Sequence, residues 1–147
     1  AYELTRFSPE LLIDEMDISL DEYDLNKNLL SLKPGEGSNV ERVSHLLKTN
    51  CPITGQPDWA TLYIRYSAHK RLDDASLLRY IVSYRNHSGF HETCCEQIYT
   101  DLYEVLSPGL LEVKCFFTRR GGIDINPVRF SAETDPPVDE CFHYFRQ

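Results

Sequence analysis

Residues 51–59 read Cys-Pro-Ile-Thr-Gly-Gln-Pro-Asp-Trp, and this stretch constrains the architecture most. Gly and Pro at those places form a turn that can fold the chain back on itself. A strand follows directly. Ala60, Leu62, Ile64 and Tyr66 point one way and Thr61, Tyr63 and Arg65 the other, the period of two of a half-buried strand. A preceding strand is expected from about Val40 to Lys48. The reversal therefore joins two strands, and it carries a thiol (Cys51) and a carboxyl (Asp58) that such a fold-back can turn toward one cavity.

Downstream the period changes. Asp73 or Asp74 can cap a helix whose apolar residues Leu77, Leu78, Ile81 and Val82 follow helical spacing. Ser88-Gly89 breaks it. A second helix is expected from about Gly89 to Leu106, with Phe90, Cys94, Ile98, Leu102 and Val105 on one stripe, and Ser107-Pro-Gly109 ends it. Leu111, Val113, Cys115 and Phe117 alternate as a third strand. After the Gly121-Gly122 turn, Ile123 to Phe130 reads as a fourth. The order strand, strand, helix, helix, strand, strand predicts an α+β layer: an antiparallel four-stranded sheet with two antiparallel helices on one face. Such a sheet leaves edges open to another copy.

The 147 residues, 41% hydrophobic, suffice for a single core. No apolar run approaches the ~20 residues of a membrane span. The formal charge of −8 argues against direct nucleic-acid binding. Residues 1–31 hold eight acids and two bases, which reads as a solvated acidic face or as a docking segment. The cysteines at 51, 94, 95, 115 and 141 are odd in number and form no Cys-x-x-Cys, so reduced thiols in a cytoplasmic setting are expected.

Three groups of residues carry chemistry. A thiolate beside a proton-donating acid, as Cys51 and Asp58 would be, adds sulfur to a carbon and a proton to its neighbour. In isolation, a Cys-Pro in a tight turn is a small buried hydrophobe. His91-Glu92 opens the second helix, where Glu92 either complements the helix dipole or accepts N–H groups from a ligand. Phe90 either stacks on such a ligand or packs in the core. Arg119-Arg120-Gly121-Gly122 pairs cations with backbone that can approach a phosphate closely, and it is equally a charged hairpin tip. No Gly-x-Gly-x-x-Gly follows a strand, so a Rossmann cofactor site is not supported.

The Cys51–Trp59 block, Arg85-Asn-His-Ser-Gly-Phe-His91-Glu92 and Thr118-Arg-Arg-Gly-Gly-Ile-Asp-Ile-Asn-Pro127 together resemble the nitrile reductases of queuosine biosynthesis, the QueF family. The resemblance runs from about Arg42 to Arg129. It implies the tunnelling fold (T-fold), which associates into barrels with active sites between subunits or modules. It also implies NADPH-dependent reduction of 7-cyano-7-deazaguanine to 7-aminomethyl-7-deazaguanine. By this resemblance Cys51 attacks the nitrile carbon to give a covalent thioimide while Asp58 protonates the nitrogen. Such an acid has to be held well above its ordinary ~3.9, by burial or by the charge of the Cys51 thiolate. His91 orients substrate or shuttles a proton, Glu92 binds the guanine-like edge, and Arg120 and Gly121 contact the dinucleotide. No metal is required.

One departure bears on organisation. Single-module members carry Glu-Ser-Lys-Ser-x-Lys before the first helix; here Asp73-Asp-Ala-Ser-Leu-Leu-Arg79 stands there, without the Glu or either Lys. The expected organisation is the carboxy-terminal catalytic half of a two-module enzyme. Residues 1–39 would be the lead-in from an amino-terminal module, 40–130 the catalytic module and 131–147 a tail. Partners would be that module and further copies of the chain. Two alternatives remain at this point. His87, His91, Cys94 and Cys95 suggest zinc, as in a cyclohydrolase relative of the same fold, although Ser88-Gly89 separates the two His residues. The other is a non-catalytic module that binds a purine-like ligand.

Overall fold

The structure is a computed structural model that describes residues 7–131, together with the backbone of Leu4–Thr5 and His143–Tyr144, which pair in parallel. Alternation of apolar and polar residues builds four strands: β1 (Gly37–Asn50), β2 (Pro57–Ala68), β3 (Leu110–Phe117) and β4 (Val128–Phe130). They form one antiparallel sheet in chain order. Between β2 and β3 run α1 (Asp74–Val82) and α2 (His91–Leu106), joined by a 3-10 turn at Ser83–Asn86. The α+β architecture expected from the sequence is the one observed.

The core lies between the sheet and the helices. Ala60, Leu62, Ile64 and Tyr66 of β2 are buried with Leu111, Val113, Cys115 and Phe117 of β3. Leu77, Leu78 and Ile81 of α1 and Cys94, Ile98 and Leu102 of α2 complete the cluster. Fully burying each aliphatic side chain stabilises the fold by about 1.5–3 kcal/mol. Asp73 caps α1 by accepting from the Ser76 N–H at 3.3 Å. α2 stops at Ser107, which adopts the left-handed region with φ 45°.

Several boundaries differ from the sequence reading. β1 is longer than residues 40–48. Phe90 is not on the α2 stripe: it precedes the helix in extended conformation and is 53% exposed. The fourth strand is only three residues long rather than 123–130. Pro127 has no N–H to give the ladder, and the segment ahead of β4 meets β3 at two carbonyls. The Phe117 N–H donates to the Ile125 carbonyl at 3.4 Å and the Cys115 N–H to that of Pro127 at 3.0 Å.

The acidic lead-in packs onto the module. Ile13 and Leu30 are buried in its core. The Ile13 N–H donates to the Val43 carbonyl at 3.0 Å, and Asp14 accepts from the His45 N–H at 2.7 Å. These contacts cover part of the open edge of β1. Beyond Ser131, the expected tail and Cys141 lie outside the described residues, apart from the backbone of His143–Tyr144.

Candidate active site

The β1–β2 hairpin builds the first wall of the site. Its loop is closed by Cys51 N–H to the Gln56 carbonyl and Gly55 N–H to the Cys51 carbonyl, both 2.9 Å. Gly55 sits at φ +69°, where a side chain would be strained. The register Thr49↔Asp58 sets Asp58 at the start of β2, with 3% exposure.

The second wall is the connection into α2, held against the end of β1. Asn50 N–H donates to the His87 carbonyl (2.9 Å), its side-chain amide to the Arg85 carbonyl (3.2 Å), and Gly89 N–H to the Asn50 carbonyl (3.1 Å). The residue before the nucleophile candidate is thereby fixed to the residues before His91. The third wall is the hairpin tip after β3, tied to β2 by Thr118 N–H donating to the Trp59 carbonyl at 2.9 Å.

Cys51, Asp58, Phe90, His91, Glu92 and Arg120 line the resulting cleft of about 290 Å³, near the lower end of small-ligand sites. The sequence-predicted residues thus meet in one hollow, except that Gly121, next in chain to Arg120, is not among its lining. His91 is buried and its ring stacks on Phe117, centroids 4.1 Å apart. Its Nε2 lies 3.2 Å from Asp58 Oδ2. Either the ring N–H donates to the carboxylate or a protonated Asp58 donates to the ring. Glu92 is exposed, in the first turn of α2.

Cys51 is partly exposed, and its thiol is lowered from the ordinary 9.0 to about 7. The Thr54 hydroxyl, hydrogen-bonded to the sulfur, is the largest cause, followed by the backbone N–H groups of Thr54 and Ile53; the Arg120 cation adds a smaller pull, and partial burial opposes them. Hydrogen bonds to the charged form favour it. About half of this thiol is ionised at pH 7, against roughly one part in a hundred for an ordinary one.

The sequence reading missed two of these relations. Thr54, whose hydroxyl is hydrogen-bonded to the Cys51 sulfur, is not among the residues the sequence singles out. Arg120 was read toward the cofactor, yet its guanidinium binds Asp58. Nε and Nη2 each stand 2.7 Å from Oδ1, and Nη2 also reaches the Gln56 carbonyl at 3.3 Å. Asp58 is buried, and the charge that faces it is the Arg120 cation. No spacing rule signals a contact between residues so far apart in the chain.

The zinc alternative finds no donor set. Among the described residues no three His, Cys, Asp or Glu side chains are grouped to hold a metal ion. His91 is directed to Asp58, and burial pushes the Cys94 thiol well above its ordinary range.

Comparison with known proteins fixes the lineage. Residues 57–136 match the family described as QueF-like protein. This chain belongs to the QueF family. Its curated relatives include the NADPH-dependent 7-cyano-7-deazaguanine reductase of Dechloromonas aromatica, 50% identical over 127 residues, which are 86% of this chain and 44% of that protein. The Bordetella pertussis protein of the same name is 46% identical over 129 residues, 88% of this chain and 47% of that protein. This QueF-family chain therefore spans about half the length of the curated relatives it matches. The crystal structure of the archaeosine synthase QueF-Like in the apo form superposes with a TM-score of 0.58 at 16% identity. It covers 70% of this chain and 99% of that one, and at that identity it speaks for the fold alone.

Proposed function

We propose that this chain carries the catalytic residues of an NADPH-dependent nitrile reductase acting on 7-cyano-7-deazaguanine in queuosine biosynthesis. The carrying observation is one cleft that unites a thiol lowered to about 7 with a buried carboxyl and a histidine. The names of the half-identical relatives support the substrate and the cofactor.

A nitrile is a weak electrophile, so the nucleophile has to be ionised before it adds. Cys51 sulfur bonds to the nitrile carbon while one carbon–nitrogen π pair moves to nitrogen. Asp58 delivers its proton to that nitrogen, giving a neutral thioimide. The Arg120 guanidinium already on Asp58, and the His91 ring facing it, then stabilise the carboxylate left behind. Glu92 accepts N–H groups of the guanine-like edge, a two-pronged contact that orients the ring. Phe90, exposed on the rim, is placed to cover the base.

The cofactor fits part of this chain. Gly121 and Gly122, at φ +56° and +79°, have open space where a side chain would point, so backbone there is accessible to a phosphate. Arg120 and Gly121 would hold the dinucleotide, which supplies hydride to the carbon attached to sulfur. The segment Asp73–Arg79, lacking the Glu-Ser-Lys-Ser-x-Lys motif, supplies no further cations of that pattern. This gap and the doubled length of the relatives favour an amino-terminal module of the same protein as partner, and association into an oligomer. Free thiols at all four described cysteines suit a reducing cytoplasm.

The test is stoichiometric. The longer protein containing this chain should oxidise two NADPH per nitrile and release the amine, and Cys51→Ala should stop both. The 147 residues alone should do so poorly or not at all. Amine formation that survives Cys51→Ala in the longer protein would defeat the reading.

A further inference from the structure

Asn50 ends β1, immediately before Cys51, and it faces the segment that leads to His91. Its backbone N–H donates to the His87 carbonyl at 2.9 Å, and its own carbonyl accepts from the Gly89 N–H at 3.1 Å. Gly89 itself lines the cleft. The side-chain amide spans the same gap, donating to the Arg85 carbonyl at 3.2 Å and to the His87 carbonyl at 3.4 Å.

Any residue with an N–H could make the backbone pair. The amide is another matter. The Arg85 carbonyl also accepts from Lys48 Nζ at 3.1 Å, and the His87 carbonyl already has the Asn50 backbone N–H. Neither acceptor would be left unpaired without the amide, so the cost of an unmade hydrogen bond does not require it. Asn is also disfavoured in strands. What the amide adds is a second tie between two walls, next to the sulfur.

We infer that Asn50 is a positioning residue: its amide fixes the gap between Cys51 and the wall that holds the substrate. The inference rests on the proposed reaction, in which Glu92 orients the ring and Cys51 attacks from the facing hairpin. Because those two groups stand on different walls, the fastening of the walls sets the distance from sulfur to nitrile carbon. Bond formation needs the reacting atoms about 3–3.5 Å apart, and a shift of about 1 Å can cost roughly a hundredfold. Lys48 reaches the same Arg85 carbonyl from further back on β1 and on a flexible stem, so it grips the wall without aiming the sulfur.

The test follows formation of the Cys51 adduct by intact mass, without NADPH, in the longer protein containing this chain. Asn50→Leu keeps a similar shape and loses the donor; Asn50→Ala loses the donor without adding apolar bulk. Both should lower the rate at saturating nitrile by roughly tenfold or more. Half-saturation should stay within about twofold, since Glu92 and Phe90 remain on their own wall. Iodoacetamide needs no alignment, so alkylation of Cys51 should keep its rate and its midpoint of about 7, whose main causes lie in the Ile53–Thr54 loop. Lys48→Met, which removes a donor from the same Arg85 carbonyl, should match the native rate. A native rate in Asn50→Leu and Asn50→Ala overturns the inference. So does an equal loss in Lys48→Met, which would mean general loosening of the wall, or an equal loss in alkylation, which would place the effect on the thiol. A native protein that forms no adduct defeats the proposed reaction and this inference with it. A normal native adduct with both Asn50 variants indifferent removes this inference alone.

Discussion

At the scale of residues, one cleft holds a thiol lowered to about 7 and a carboxyl bound to a cation. Cys51 is drawn toward its anion chiefly by the Thr54 hydroxyl and adjacent backbone N–H groups, all within its own loop. Because that loop is local, replacing Thr54 tests the cause without touching the sheet. Thr54→Val should move the midpoint of Cys51 alkylation up from about 7 toward the ordinary 9.0. A lowered thiol reacts increasingly as pH rises through about 7, so the variant should lose roughly tenfold at pH 7 and recover at pH 9. An unchanged midpoint would mean that Arg120 or the backbone suffices. The sequence made Cys51, Asp58, His91 and Glu92 legible because each sits in a distinctive local block. It hid the contacts of Thr54 with the sulfur and of Arg120 with Asp58, since these depend on which loop or strand lies alongside.

At the scale of elements, periodicity located all four strands and both helices, and it failed where the pattern was interrupted. Pro127 shortened β4, and Phe90 lay one residue before the helix whose stripe it imitated. Periodicity also said nothing of how α1 and α2 are fastened together. Tyr80 of α1 donates to Asp101 of α2 at 2.6 Å; Gln97 donates to the other oxygen at 2.8 Å, and the Tyr84 hydroxyl lies 2.8 Å from that of Tyr80. Burial, then the neighbouring Tyr84 and Asp101, push the Tyr80 phenol far above its ordinary range, so it serves as a donor and not as an acid. Asp101→Ala removes the acceptor that the Tyr80 hydroxyl and the Gln97 amide share, leaving Tyr80 only the Tyr84 hydroxyl. It should cost about 1–3 kcal/mol in urea unfolding, with the slope against denaturant unchanged. A loss within 0.5 kcal/mol, an approximate bound for neutral surface changes, would show the network to be dispensable.

At the scale of the whole molecule, one sheet end gathers three chain segments. The β1–β2 hairpin, the entry to α2 and the tip after β3 meet there, and the only obvious sequence clue to their meeting was that each carried reactive side chains. The acidic lead-in, set apart by composition, shares the core through Ile13 and Leu30, a contact that charge counting could not reveal. The gap in cations at Asp73–Arg79 and the length of the relatives are the grounds for proposing a second module that completes the cofactor site. The account then turns on whether this chain alone can perform the first bond-forming step. Intact mass spectrometry after incubation with 7-cyano-7-deazaguanine, without NADPH, tests that directly. The account predicts a gain equal to the entire nitrile, absent in Cys51→Ala and slowed in Asp58→Asn by roughly a hundredfold or more. Native chain left at its original mass under saturating nitrile would contradict it.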